Sequence, residues 1–245
     1  MDPDVRDAYQ RFFTAFNARD ATRWSATLNY PHVRLSPRTA PEVIANAEDH
    51  AHRVQWERVT ATGWDHSVPK DPLLLHVGRD SAHLLGGWTR YTKDGVAILE
   101  NDVAYVLTRV HGTWGIQSRF GIDVRADASA ATNAAAVAVV EEYLDACSDR
   151  DWRRACDCLV FPTFLIAPGN LKDWRDGPSF VAMLESGHWH LLTEASARAV
   201  QGGASAVNVA VEVLLDGGDR RQQALFMVVR RDDRWGIQGR SIIEV

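Results

Sequence analysis

Apolar residues at Val5, Tyr9, Phe12, Phe13 and Phe16 recur at spacings of three and four. That places them on one face of a helix whose other positions are polar. Ala136, Val140, Tyr143, Leu144 and Cys147 repeat this register 131 residues later. A short second helix is expected after each, over about 21–28 and 152–159. Tyr30-Pro31 and Phe161-Pro162 end these segments, because the residue before proline avoids helical backbone. Val33–Leu35 and Phe164–Ile166 then read as short strands, and third helices are expected from Pro41, with Thr39 as cap, and from Pro178. Further on, Val207, Val209, Val211 and Val213 alternate with Asn208, Ala210 and Glu212. Period-two alternation marks strands with one buried face, and Asp94-Gly95 and Asp216-Gly217 mark hairpin turns between such strands.

The two halves carry the same text. Trp114-Gly-Ile-Gln-Ser-Arg119 returns as Trp235-Gly-Ile-Gln-Gly-Arg240, five identities in six at an offset of 121. Arg19-Asp20, Pro31 and Pro37 return as Arg150-Asp151, Pro162 and Pro168 at an offset of 131. Collinear matches of this kind indicate an internal repeat. The first copy is ten residues longer, and the extra residues are expected near Val68–Asp80. The boundary falls in the Ala-rich stretch 125–133, which gives repeats of 1–125 and 126–245. Asp2 before Pro3, and Thr132 or Asn133, are the expected helix caps.

The order helix, helix, short strand, helix and long meander predicts an α+β fold, with three helices on one face of a curved antiparallel sheet, twice. These landmarks resemble the nuclear-transport-factor-2-like superfamily, and its SnoaL-like branch most. They are Tyr30-Pro31-His32, Thr89-Arg90-Tyr91 before Lys93-Asp-Gly95, Tyr105–Arg109 and Trp114–Gln117. The resemblance covers nearly the whole chain as two tandem units. It implies cystatin-like cones, each with an apolar cavity between helices and sheet, packed as an intramolecular pseudo-dimer. It also implies a small apolar or aromatic ligand. The chemistry of this superfamily ranges from isomerase, dehydratase, lyase and cyclase reactions to non-catalytic binding and protein interaction.

Composition narrows the partners. A net charge of −5, a pI near 6.0 and no basic run exclude a nucleic-acid or anionic-membrane surface. No apolar run reaches the roughly 18 residues of a membrane span. The three cysteines, Cys147, Cys156 and Cys158, make a poor disulfide framework and suggest a reducing, cytoplasmic setting. No phosphate-binding loop, dinucleotide fingerprint or nucleophile elbow occurs, so no cofactor is expected. His188 and His190 lack a third ligand at metal-binding spacing, and no metal is expected.

Titratable side chains concentrate in the first copy, which holds seven of the nine histidines. Aligned positions turn His32 into Thr163, Arg34 into Leu165, Trp88 into Ala210 and Tyr105 into Phe226. If one cavity is functional, it is therefore the first. His32, beside the Pro31 step, is the leading acid/base candidate. Tyr9 on the first helix, and Asp65 and Asp102 in strand-like context, complete the catalytic candidates. Trp24, Trp56, Trp88 and Arg90 are the candidate ligand-binding residues. Arg90 also invites a structural reading, as the partner of Glu100 in one hairpin or of Glu212 across the pseudo-twofold. The catalytic reading requires His32 and at least one of Tyr9, Asp65 and Asp102 to converge in one pocket.

Overall fold

The computed structural model describes residues 3–122, 129–187 and 192–245. The first half runs α1 (Pro3–Asn17), α2 (Ala21–Ser25), β1 (Leu28–Ser36), β2 (Thr39–Ile44), α3 (Ala47–Arg53), α4 (Trp56–Thr60), β3 (His66–Pro69), β4 (Leu73–Val77), β5 (Ser81–Tyr91), β6 (Ala97–Val110) and β7 (Thr113–Ile122). The second runs α5 (Ala130–Ser148), α6 (Trp152–Asp157), β8 (Leu159–Ala167), β9 (Asn170–Trp174), α7 (Gly177–Ser186), β10 (Leu192–Gly202), β11 (Ala206–Leu215), β12 (Arg220–Arg231) and β13 (Arg234–Glu244). One sheet has the order β2-β1-β7-β6-β5-β3, with β4 also on β5, and the other β10-β11-β12-β13-β8-β9. Both sheets are mixed rather than purely antiparallel, because β1 runs parallel to β7 and β8 parallel to β13.

Local chemistry sets the helix starts. Asp20 and Asp151 each accept a hydrogen bond from the backbone N–H three residues on, at Arg23 and Arg154. Ser129, rather than Thr132 or Asn133, caps α5. The expected caps at Asp2 and the boundary residues 123–128 lie outside the described residues, as do His188, Trp189 and His190. The third helix of the first half does not start at Pro41. Thr39–Ile44 is an edge strand, where a proline without an N–H is tolerated, and the helix starts after Asn46, which caps it.

Three apolar clusters hold the chain together. Two lie between helices and sheet, one per half. The third joins the sheets. It packs Val33, Leu35, Val106, Phe120 and Ile122 of the first against Phe164, Ile166, Leu225, Met227 and Val229 of the second. The face that each sheet turns away from its helices is thus covered by the other, which is the pseudo-dimer the resemblance implies.

One irregularity recurs in both halves. In β6–β7, Val106 faces Ser118 but Leu107 faces Ile116, so Gln117 is a bulged extra residue. In β12–β13, Met227 faces Gly239 but Val228 faces Ile237, and Gln238 is bulged. A bulge shifts the alternation by one. Trp114 and Ile116 point to the helices, Phe120 and Ile122 to the other sheet, and Arg119 is returned to the helix side. Gln117 also ties the halves together. Its Oε1 accepts from Thr108 Oγ1 (2.7 Å) and the Gly169 N–H (3.0 Å), and its Nε2 donates to the Asn170 carbonyl (3.0 Å). Gln238 Oε1 is buried without a partner.

The registers also relocate the ten extra residues. Eight residues, 91–98, separate Arg90 from Leu99, where four, 216–219, separate Leu215 from Arg220. The α3–α4 pair likewise spans 47–60 against 177–186 for α7. Most of the added length lies in these two places, rather than around Val68–Asp80. The same registers make Arg90 the counterpart of Leu215, not Glu212, and make Trp88 the counterpart of Val213, not Ala210.

Gln117→Ala leaves the buried Thr108 hydroxyl without its acceptor, and removes the side-chain partner of the Gly169 N–H and the Asn170 carbonyl. It is expected to cost about 1–3 kcal/mol in urea unfolding. Gln238→Ala should cost clearly less, and equal losses would contradict the bridging role.

Candidate functional site

A cavity of about 400 Å³ opens between the helices and the sheet of the first half. Its apolar wall comes from Phe12, Phe13 and Phe16 of α1, Trp24 of α2, Ile44 of β2 and Trp56 of α4, with Trp88 on β5. The rings form one continuous set: Phe16 lies 4.9 Å from Trp24 and 5.4 Å from Trp56, and Trp24 lies 5.9 Å from Trp56.

Four guanidinium groups share this wall, with one carboxylate. Arg53 is held by both oxygens of Asp49, at 2.7 and 2.8 Å. Arg34 lies 3.8 Å from Glu42, both half-exposed. Arg90 and Arg119 have neither an ion pair nor a hydrogen bond among the described residues, and the Nε of each is buried. They rest on rings instead. The Arg119 guanidinium carbon is 5.5 Å from the Phe12 ring centre and 5.9 Å from that of Trp24. That of Arg90 is 4.7 Å from Trp88 and 5.9 Å from Phe16. Burial first, and the nearby Arg34 charge second, lower the Arg119 guanidinium to about 10 and push Arg90 down as well. Both remain charged at neutral pH, on a wall whose one carboxylate, Glu42, lies beside Arg34.

His50, in the middle of α3, is the titratable base on this wall. Its Nδ1 lies 2.7 Å from Ser25 Oγ, which lies 2.7 Å from the Ala21 carbonyl. The single hydroxyl proton of Ser25 goes to the carbonyl, which can only accept. With the Ser25 hydroxyl donating to that carbonyl, Nδ1 carries the imidazole proton and Nε2 keeps its lone pair. Burial, then Arg119, lower His50 to about 4, so it is neutral at pH 7.

The four catalytic candidates do not converge here. His32 is fully buried behind the wall, with Nδ1 donating to the Ile116 carbonyl at 3.2 Å and Nε2 unpartnered. Tyr9 donates to the Gly87 carbonyl at 3.0 Å, with the Lys70 carbonyl at 3.1 Å. Asp65 sits half-exposed beside His66 and Arg19. Asp102 pairs with Lys70 at 2.5 Å, and Glu100 shares that lysine at 2.6 Å. Glu100 therefore does not pair with Arg90. Thr89 stands opposite Glu100, which turns Arg90 to the other face. By contrast Trp24, Trp56, Trp88 and Arg90 all lie on the cavity wall.

Sequence reasoning missed Arg119 and His50. Arg119 carried a signal, as the charged end of the repeated Trp-Gly-Ile-Gln segment, but strict alternation would aim it away from the helices. His50 carried none, because its role depends on Ser25, 25 residues away.

The order of elements and the two mixed sheets define an NTF2-like, cystatin-like α+β fold, built twice. Residues 3–120 match a family of NTF2-like proteins, DUF6841. Several solved structures match about half of the chain. A cystatin-like protein of Nostoc punctiforme is 11% identical, over 47% of this chain and 85% of its own, at a TM-score of 0.38. An NTF2-like protein of Pseudomonas putida is 13% identical, over 48% and 89%, at 0.37. One of Silicibacter pomeroyi is 20% identical, over 46% and 94%, at 0.34. No curated protein matches the chain. Among the described residues no helix is long and apolar enough to cross a membrane, and no group of three or more potential ligands could hold a metal ion.

Four histidines, His32, His50, His76 and His83, are at most 4% exposed. Burial lowers all of them, His50 and His76 to about 4 and the other two well below the usual imidazole value. The unfolded chain takes up these protons near pH 6.5 while the folded chain does not, so stability falls as pH drops below 6.5. Each histidine contributes up to about 1.4 kcal/mol per pH unit. Urea midpoints measured from pH 7.5 to 5 should fall steeply below 6.5, and a flat profile would contradict the neutral, buried state.

Proposed function

We propose that the first-half cavity binds a small organic anion with a largely apolar or aromatic body. The observation that carries this is the pair of guanidinium groups, Arg90 and Arg119, which have neither an ion pair nor a hydrogen bond among the described residues, on a wall where four guanidinium groups outnumber the one carboxylate, Glu42. A buried, unpaired charge destabilises a fold, and a bound carboxylate or other oxyanion would supply the missing partner with charge-assisted hydrogen bonds. The aromatic wall fits the apolar remainder of such a ligand. A reducing cytosolic setting is part of this reading, supported by three free cysteines.

A second reading adds proton transfer without a cofactor, of the isomerase or lyase type. Its support is the His50 tautomer, which offers a neutral imidazole nitrogen as base while Arg119 steadies developing negative charge. In this reading His50 takes the role first assigned to His32. His50→Gln should then retain ligand binding and lose turnover.

Arg119→Met tests the anion site. The variant should unfold at higher urea, by about 0.5–2 kcal/mol, as expected where function holds a destabilising group in place. Calorimetry should show naphthalene carboxylate binding to the parent protein and not to the variant. Asp65→Asn should change neither. A destabilised Arg119→Met that still binds the carboxylate would refute the proposal.

A further inference from the structure

The second half shows what the first-half cavity lacks. In the parallel strand pairs, Arg34 stands opposite Arg119, and Leu165 opposite Arg240. His32 pairs with Ile44 across β1–β2, and Thr163 with Trp174 across β8–β9. Ile44 and Trp174 are therefore the same position in the two halves, as are Arg119 and Arg240. His50 and Phe180 match in the same way, each the fourth residue of its helix.

In the second half these positions are filled by rings. Arg240 is 4% exposed, and its guanidinium carbon lies 5.3 Å from the ring centres of both Trp174 and Phe180. Trp174 meets Phe180 edge to face at 5.3 Å. In the first half the indole is replaced by the smaller Ile44, and the benzyl ring by His50. Ile44 and His50 both line the cavity, beside an arginine that keeps its charge and its aromatic floor.

From this internal comparison we infer that the ligand of the first half is an aryl carboxylate. Its fused, indole-sized ring occupies the place that the Trp174 side chain fills in the second half. The inference rests on the anion reading above and names its chemical class. The ring lies against Arg119, where cation–π attraction adds to apolar contact. The carboxylate reaches Arg90 and Arg119, and a donor on the ring or side chain, such as an indole N–H, matches the free Nε2 of His50.

Two arms test it on the full chain, with naphthalene carboxylate, indole acetate and octanoate as calorimetric probes. The parent protein should bind either aryl acid at least about tenfold tighter than octanoate, since aromatic contacts add to burial. Ile44→Trp rebuilds the second-half arrangement. It should melt no lower than the parent protein and lose aryl binding by about a hundredfold or more. Equal affinity for octanoate and the aryl acids would overturn the aromatic class and leave the anion reading standing. Undiminished aryl binding by a folded Ile44→Trp would overturn the ring position. If no probe binds the parent protein at all, the anion reading falls and this inference with it. The probe panel decides the class even if Ile44→Trp fails to fold.

Discussion

A single extra residue in the last strand of each half organises the molecule. The bulge at Gln117 reverses the alternation of β7 midway. Before it, Trp114 and Ile116 face the helices. After it, Phe120 and Ile122 face the other sheet, while Arg119 faces the cavity. Without the bulge, Arg119 would be driven into the apolar seam between the sheets, at a desolvation penalty no contact there could offset. The bulged side chain itself spans to the β8–β9 turn of the other half. Pseudo-dimer and cavity therefore share one origin.

That shared origin explains why the halves diverged as they did. The seam constrains both sheets alike, and its requirements are visible at Gly239, where an added Cβ would lie 2.3 Å from Leu35 Cδ1. The helix-side spaces are constrained less. The second half closed its space with Trp174 and Phe180 around Arg240, so that its cation rests in a cage of rings. The first half opened its space and added length at the α3–α4 pair and the β5–β6 hairpin, both of which contribute to the cavity wall. It retains two cations with neither an ion pair nor a hydrogen bond among the described residues, which is a cost to stability unless something binds.

Much of the architecture was legible because it follows from short-range periodicity. The α1 face from Val5 to Phe16, the Asp-Gly turns and the repeated Trp-Gly-Ile-Gln segment each declare themselves within a few residues. Thr39–Ile44 misled, since a proline reads equally as a helix start or an edge-strand residue until its neighbours in space are known. The cavity's aromatic wall was legible in Trp24, Trp56 and Trp88, as large rings found in one repeat and not the other. The charged part was not. Arg119 owes its direction to a bulge, and His50 owes its tautomer to a serine on another helix. His32 drew attention by its place beside Pro31, and its surroundings instead make it a buried, backbone-bonded imidazole.

The central claim is that the first-half cavity selects negative charge, and it is tested most directly by a charge-for-neutral pair of equal shape. Naphthalene carboxylate and its carboxamide differ in little but the charge that Arg90 and Arg119 would meet. Calorimetry should find the carboxylate bound at least about tenfold more tightly, a difference of about 1.4 kcal/mol. Equal binding of the two, or preference for the amide, would contradict the account.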